Sequence, residues 1–244
     1  MVLPLYLAMT GREIIAEKQP IPRCAYMACH FSPYSQGLTN LPTSLPPGSM
    51  LILNDRMPCD GHSADLVAHQ LQDAVAHFGC ESLLLDFQRP STEDALQVVR
   101  CILETLSCPV AVTEGFAEYF DCPVFLGPAP LHVPLAEHLV PWQNREVWLE
   151  AALCQQEIRI SKTGTEIQSV FPTDGFTDGF YDDSLCCRYR CKTKPDCITF
   201  TLFDTPETLT QKLELAHSLG VTRAVGLWQE LGILPQTQKP PTIR

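Results

Sequence analysis

Short apolar runs alternate along this chain with amphipathic helical stretches. That alternation constrains the fold more than any other feature, because it is the pattern of parallel βα units. Strand candidates fall at Cys24 to Phe31, Met50 to Asn54, Ser82 to Phe87, Pro109 to Thr113, Pro123 to Leu126, Glu146 to Ala152, Ile198 to Phe203 and Arg223 to Trp228. A helix from Ala64 to Phe78 sets Leu71, Val75 and Phe78 on one face, and a second from Thr92 to Leu106 gathers Leu96, Val99, Leu103 and Leu106. Ser91 and Asp94 have the spacing of a capping box for that second helix. The last helix has Thr205 as N-cap, Pro206 at its first position and Gly220 just past its end, with Leu209, Leu213 and Ala216 inward. With near eight strands in 244 residues, the expected fold is α/β, a (β/α)8 barrel of the TIM type in one domain spanning 1–234.

Two departures from a regular barrel are expected. The connections Glu114 to Asp121 and Gly127 to Arg145 leave room for at most a turn or two of helix, so part of the helical ring is shortened or missing. The segment 154–196 breaks the alternation. There Glu157-Ile-Arg-Ile-Ser and Thr165-Glu-Ile-Gln-Ser flank a Lys162-Thr163-Gly164 turn, and another strand follows at Leu185 to Arg190. This reads as a small antiparallel β insertion before the last βα unit. Its acidic loop, with Asp174, Asp178, Asp182 and Asp183, lacks the terminal Glu of a calcium loop and reads as solvated. The tail 235–244 is expected to fray.

Composition narrows the partners. Hydrophobic residues make up 45% and charged residues 18%, a globular balance, and the net charge of −11 argues against nucleic acid or an anionic membrane as partner. The one basic concentration, Arg188, Arg190, Lys192 and Lys194, alternates at strand spacing and reads as a solvated face. The apolar start carries Pro4 and no basic leader, and no run reaches the roughly 18 apolar residues of a bilayer span, so a cytoplasmic location is expected. Most of the 12 cysteines lie within apolar patterns, as free thiols do in a reducing compartment. Cys186, Cys187, Cys191 and Cys197 form no Cys-x-x-Cys pair and have no histidine nearby, so no metal and no cofactor are expected. His62, His69 and His77 read as surface residues, Trp142 and Trp148 as packing residues. No nucleophile elbow and no phosphate loop is present.

The stretch Gly79-Cys80-Glu81-Ser82-Leu83-Leu84-Leu85-Asp86-Phe87-Gln88 resembles the signature strand of a family-18 glycoside hydrolase barrel, of the chitinase and spore-peptidoglycan-hydrolase kind. That signature reads Asp-Gly-x-Asp-x-Asp-x-Glu, and residues 81 to 88 keep only Asp86 and the aromatic Phe87. A second point of resemblance runs from Phe203-Asp204-Thr205-Pro206 to Val225-Gly226-Leu227-Trp228. The resemblance implies that Trp228 floors a sugar site and that position 88 carries the general acid. Gln88 cannot release a proton, and loss of a general acid typically removes 10² to 10⁴ in rate. Leu84 stands where the family has a further carboxylate, and Leu126-Gly127-Pro128-Ala129-Pro130 offers no counterpart of its Tyr-Asp pair.

A barrel places its site at the carboxyl ends of the strands, where the sequence offers His30, Asn54, Asp55, Asp86, Gln88, Glu114, Glu150, Trp228 and Glu230. Three readings stand. The first is a degenerate barrel without chitinase activity that binds an N-acetylated sugar or cell-wall fragment through Asp86, Gln88 and Trp228, with Asp55 and the glutamates around them. The second is a hydrolase or other barrel enzyme that uses Glu114, Glu150 or Glu230 instead. The third is a structural or interaction protein, pairing with a second copy through its helix-poor flank.

Overall fold

The computed structural model describes residues 3–18, 21, 23–170 and 178–232. Asp174 and the tail 235–244 lie outside the described residues. The chain begins with β1 (Leu5–Met9), α1 (Gly11–Ala16), β2 (Cys24–Phe31), β3 (Leu38–Thr39), β4 (Met50–Asn54), α2 (Ala64–Phe78) and β5 (Ser82–Asp86). It continues through α3 (Glu93–Thr105), β6 (Val110–Thr113), α4 (Glu114–Ala117), β7 (Val124–Leu126), α5 (Leu135–Leu139) and β8 (Val147–Glu150). Five strands follow, β9 (Gln155–Ser161), β10 (Gly164–Val170), β11 (Phe180–Asp182), β12 (Cys187–Lys194) and β13 (Cys197–Phe203). The described chain ends with α6 (Pro206–Ser218), β14 (Val221–Leu227) and α7 (Trp228–Leu231).

Eight parallel strands close into a barrel in the order β1, β2, β4, β5, β6, β7, β8, β14, with β14 returning to β1. Strand alternation divides the apolar side chains into two shells. Tyr6, Ala8, Met50, Ile52, Leu84, Phe125, Trp148 and Val225 fill the interior. Leu51, Leu53, Leu83, Leu85, Val110 and Val112 face outward against Val67 and Leu71 of α2 and Val98, Val99 and Ile102 of α3. The bottom is stoppered. The Trp148 indole N–H donates to Glu146 at 2.8 Å, and the Arg223 guanidinium lies 4.7 Å from the centre of its ring while pairing with Glu146 at 2.9 Å.

Helix ends follow their local chemistry. Ser63 caps α2 and Gly79, at φ +62°, ends it; Thr205 caps α6 through the Thr208 N–H, and Gly220 follows at φ +93°. The cap of α3 is Thr92, which accepts from the Ala95 N–H, and not Ser91. The shortened connections hold helices of four and five residues, α4 and α5, so the ring is thin on that side.

One strand assignment is corrected. Ile198 to Phe203 belongs to β13, at the centre of a separate antiparallel sheet ordered β10-β9-β13-β12-β11. The remaining barrel strand is β1, which the sequence reading took only as an apolar start. The reason lies in the patterns. Ile-Thr-Phe-Thr-Leu alternates, as suits a sheet with one wet face, whereas Leu-Tyr-Leu-Ala-Met is continuously apolar, as suits a strand buried on both sides.

Several contacts anchor the second sheet to the barrel, among them the Arg188–Glu207 pair at 3.2 Å. Leu131 packs with Cys187 and Leu202, and the His132 ring meets Gln156 at 3.0 Å. Deeper in, Lys212 of α6 pairs with Asp204 at 2.7 Å, and Asp204 also accepts from the Cys154 N–H at 3.2 Å. No helix among the described residues is long and apolar enough to cross a membrane.

Candidate functional site

The strand β5 runs out of the barrel core and into its mouth. Leu84 belongs to the interior shell, so Asp86 and Gln88, two and four residues on, share its side of the strand. Phe87, between them, faces outward and is wedged against Phe31 and Phe116, with ring centres 5.7 and 5.5 Å away. The Thr113 hydroxyl fixes the Phe87 carbonyl at 2.6 Å. The strand end is therefore held from behind while its polar side chains face the opening.

Two clefts meet at this point. One, of about 480 Å³, is floored by Met27, Ile52, Leu84, Phe125 and Val225 and walled by Thr10, His30, Asn40, Asn54, Arg56, Asp86, Gln88 and Glu150. The other, of about 660 Å³, is bounded by Arg89, Ser91, Thr113 and Glu114, and shares Gln88, Phe125 and Glu150 with the first. The shared residues make one continuous opening with an apolar floor and a polar rim, the usual composition of a small-molecule site.

Within it the Gln88 amide Nε2 donates to Asp86 Oδ1 across 2.6 Å. Burial holds the Asp86 carboxyl above the usual aspartate range, against the pull of that hydrogen bond and with a further upward push from Asp55. Burial also raises Glu150, with the negative charges of Asp86 and Glu230 adding to the effect. Opposite them, the His30 Nδ1 faces the Phe31 carbonyl at 2.8 Å, so Nε2 is left to accept from the Asn40 amide at 3.1 Å. Asn40 holds a left-handed backbone, φ +53°, which Asn tolerates better than most residues. Asn54 donates to the Met27 and Cys29 carbonyls, both at 3.0 Å, and so stitches the end of β4 to β2.

The opening thus brings together His30, Asn54, Asp86, Gln88, Glu114 and Glu150 from the sequence reading. It does not use the other three directly. Asp55 is buried behind the rim, where its carboxylate accepts the backbone N–H groups of Gln88 (3.0 Å) and Arg89 (2.7 Å), so it positions the loop. Trp228 packs against the outer shell, and Leu227 lines the cleft in its place. Glu230 lines neither cleft, and its Oε2 is buried without a hydrogen-bond partner. The sequence reading missed Phe125, the aromatic that the opening presents, although it is the inward position of β7 between outward Val124 and Leu126. Arg56, Asn40 and Thr10 carried no motif that could have marked them.

His62 is half-buried, not fully exposed. Its two ring nitrogens meet the carbonyls of Cys59 (3.1 Å) and Ser32 (2.9 Å) beneath the Phe31 ring. Cys187 and Cys191 share one face of the second sheet, while Cys197 pairs opposite Lys194 on the other. Among the described residues no three His, Cys, Asp or Glu side chains gather as a metal site.

No family model matches the sequence, and no curated protein matches it. Solved structures do. Chitinase ChiW from Paenibacillus sp. str. FPU-7 aligns with a TM-score of 0.60 at 10% identity, over 92% of this chain and 41% of its own. The family-18 N-acetylglucosaminidase of Paenibacillus barengoltzii aligns at 0.53 with 9% identity, over 92% of this chain and 94% of that one. A chitinase from Chromobacterium violaceum ATCC 12472 aligns at 0.51 with 9% identity, over 96% of both chains. The fold is a closed parallel α/β barrel similar to that of these enzymes. At such identities the likeness concerns the backbone alone, and what this barrel does must be argued from its own mouth.

Proposed function

We propose that the chain is a family-18-like barrel without chitinase activity that binds an N-acetylated sugar or cell-wall fragment at its mouth. One observation carries the reading. At the end of β5, in an open cleft, the position where the family resemblance implies a general acid holds an amide, Gln88, hydrogen-bonded to Asp86 at 2.6 Å. An amide donates and accepts hydrogen bonds but releases no proton near neutral pH, so the pair is suited to grip a hydroxyl or acetamido group and not to protonate a leaving oxygen. The apolar floor with Phe125 gives the sugar face a surface to lie on.

A second reading rests on Glu150. It lines both clefts, and burial raises its carboxyl, as suits a group that must hold a proton for delivery. On this reading the barrel hydrolyses a glycoside with Glu150 as acid.

Isothermal titration of the full chain with N-acetylglucosamine oligomers tests both. Saturable heat, lost in Asp86→Ala and Gln88→Ala, is expected. Sustained heat with new reducing ends, abolished by Glu150→Gln, would replace the binding reading with the enzyme. Absence of heat at millimolar oligomer would overturn both.

A further inference from the structure

Two guanidinium groups stand at the rim of the opening, and the sugar-binding reading uses neither. Arg56 follows β4 and lines the first cleft; Arg89 follows Gln88 and lines the second. Their two loops are tied together. Arg89 donates from Nε to the Asp55 carbonyl at 2.9 Å and from Nη2 to the Arg56 carbonyl at 3.2 Å, while its own N–H donates to the Asp55 carboxylate. The Arg56 N–H donates to the Asn54 side chain at 3.2 Å. Both backbones are therefore fixed, and the Arg56 side chain extends from a braced loop.

Among the described residues neither arginine forms an ion pair with a carboxylate. The ion pairs among the described residues use Arg23, Arg188, Lys212 and Arg223. Asp55, the acid nearest in sequence, directs its two oxygens to the backbone N–H groups of Gln88 and Arg89. In a chain of net charge −11, two arginines on neighbouring tied loops, neither in a salt bridge, place positive charge at a rim that otherwise carries the carboxylates of Asp86, Glu114 and Glu150. The guanidinium fork matches the planar oxygens of a carboxylate and the oxygens of a phosphate, and it binds them more strongly than it binds a neutral hydroxyl.

We infer that Arg56 and Arg89 form a subsite for an anionic substituent of the saccharide, a carboxylate or a phosphate, beside the position gripped by Asp86 and Gln88. This inference rests on the sugar-binding reading and narrows it: the ligand class is an acidic amino sugar or a sugar phosphate, not neutral chitin.

Titration of the full chain with three probes tests it: di-N-acetylchitobiose, N-acetylmuramic acid and N-acetylglucosamine 1-phosphate, each at about 50 and 500 mM salt. At low salt an acidic probe is expected to bind about tenfold more tightly than the neutral one. That ratio should shrink toward one in Arg56→Gln and at high salt, with the melting temperature of the variant showing that it is folded. The preferred probe tells carboxylate from phosphate. Equal binding of acidic and neutral probes, or a ratio unmoved in Arg56→Gln, would overturn the subsite while leaving sugar binding intact. No binding by any probe would remove the sugar reading and the subsite together.

Discussion

Asp86 and Glu150 occupy an opening whose floor is apolar, and burial keeps both carboxyls above their ordinary values of 3.8 and 4.5. The sign of the consequence follows from linkage. Below those ordinary values both the folded and unfolded chains hold the protons, and as pH rises the unfolded chain releases them first, so folded stability falls. Asp86→Asn and Glu150→Gln should therefore each melt higher than the parent at pH 7, by about 2–4 °C for each kcal/mol gained, with the gap closing near pH 4. Thermal melts at the two pH values check this. At this scale the sequence was partly legible. Asp86 and Gln88 could be placed because β5 is regular, whereas Trp228 could not, because β14 carries an irregularity between Val221 and Arg223. One extra residue there shifts the faces within the strand so that Val225 and Leu227 point to the barrel interior, and the strand ends before Trp228, which opens α7.

The attachment of the second sheet depends on a buried ion pair between Asp204, at the end of β13, and Lys212 in α6, whose side chains are 1% and 10% exposed. Burial pushes the Asp204 carboxyl up against the pull of Lys212. Removing one partner leaves the other charge stranded, so Lys212→Ala should cost roughly 3–5 kcal/mol in denaturant unfolding, while Lys212→Met with Asp204→Asn should cost much less. Elements were the most legible level. The ends of α6 could be read from Thr205 and Gly220, and α2 from Ala64 to Phe78, which the Ser63 cap and the left-handed Gly79 bound. Lys212 could not be read, since nothing in a helix sequence distinguishes a lysine that turns inward to a buried aspartate from its solvated neighbours.

Closure of the barrel rests on β1, which is hydrogen-bonded on both sides, to β2 and to β14. The Leu7 N–H donates to the Arg23 carbonyl at 3.0 Å. Leu7→Pro removes that donor within a strand flanked on both edges, and it should abolish the cooperative near-ultraviolet melt. Leu7→Val, which keeps the donor, should cost roughly 1 kcal/mol. The overall architecture was legible because parallel strands buried on both faces leave continuous apolar runs. The identity of the closing strand was not, because local pattern carries no information about which distant strand lies alongside.

The pairing of Leu5 with Ala224 also sets an order in time. A ribosome delivers β1 before the other barrel strands and β14 after them, so seven barrel strands exist before the eighth can join them. Until then they form an open sheet with two bare edges, and contacts between residues so far apart in sequence are slow to form. The nascent barrel is therefore most exposed to aggregation in the interval between synthesis of β8 and of β14, and the β9–β13 sheet and α6 that lie between them lengthen that interval.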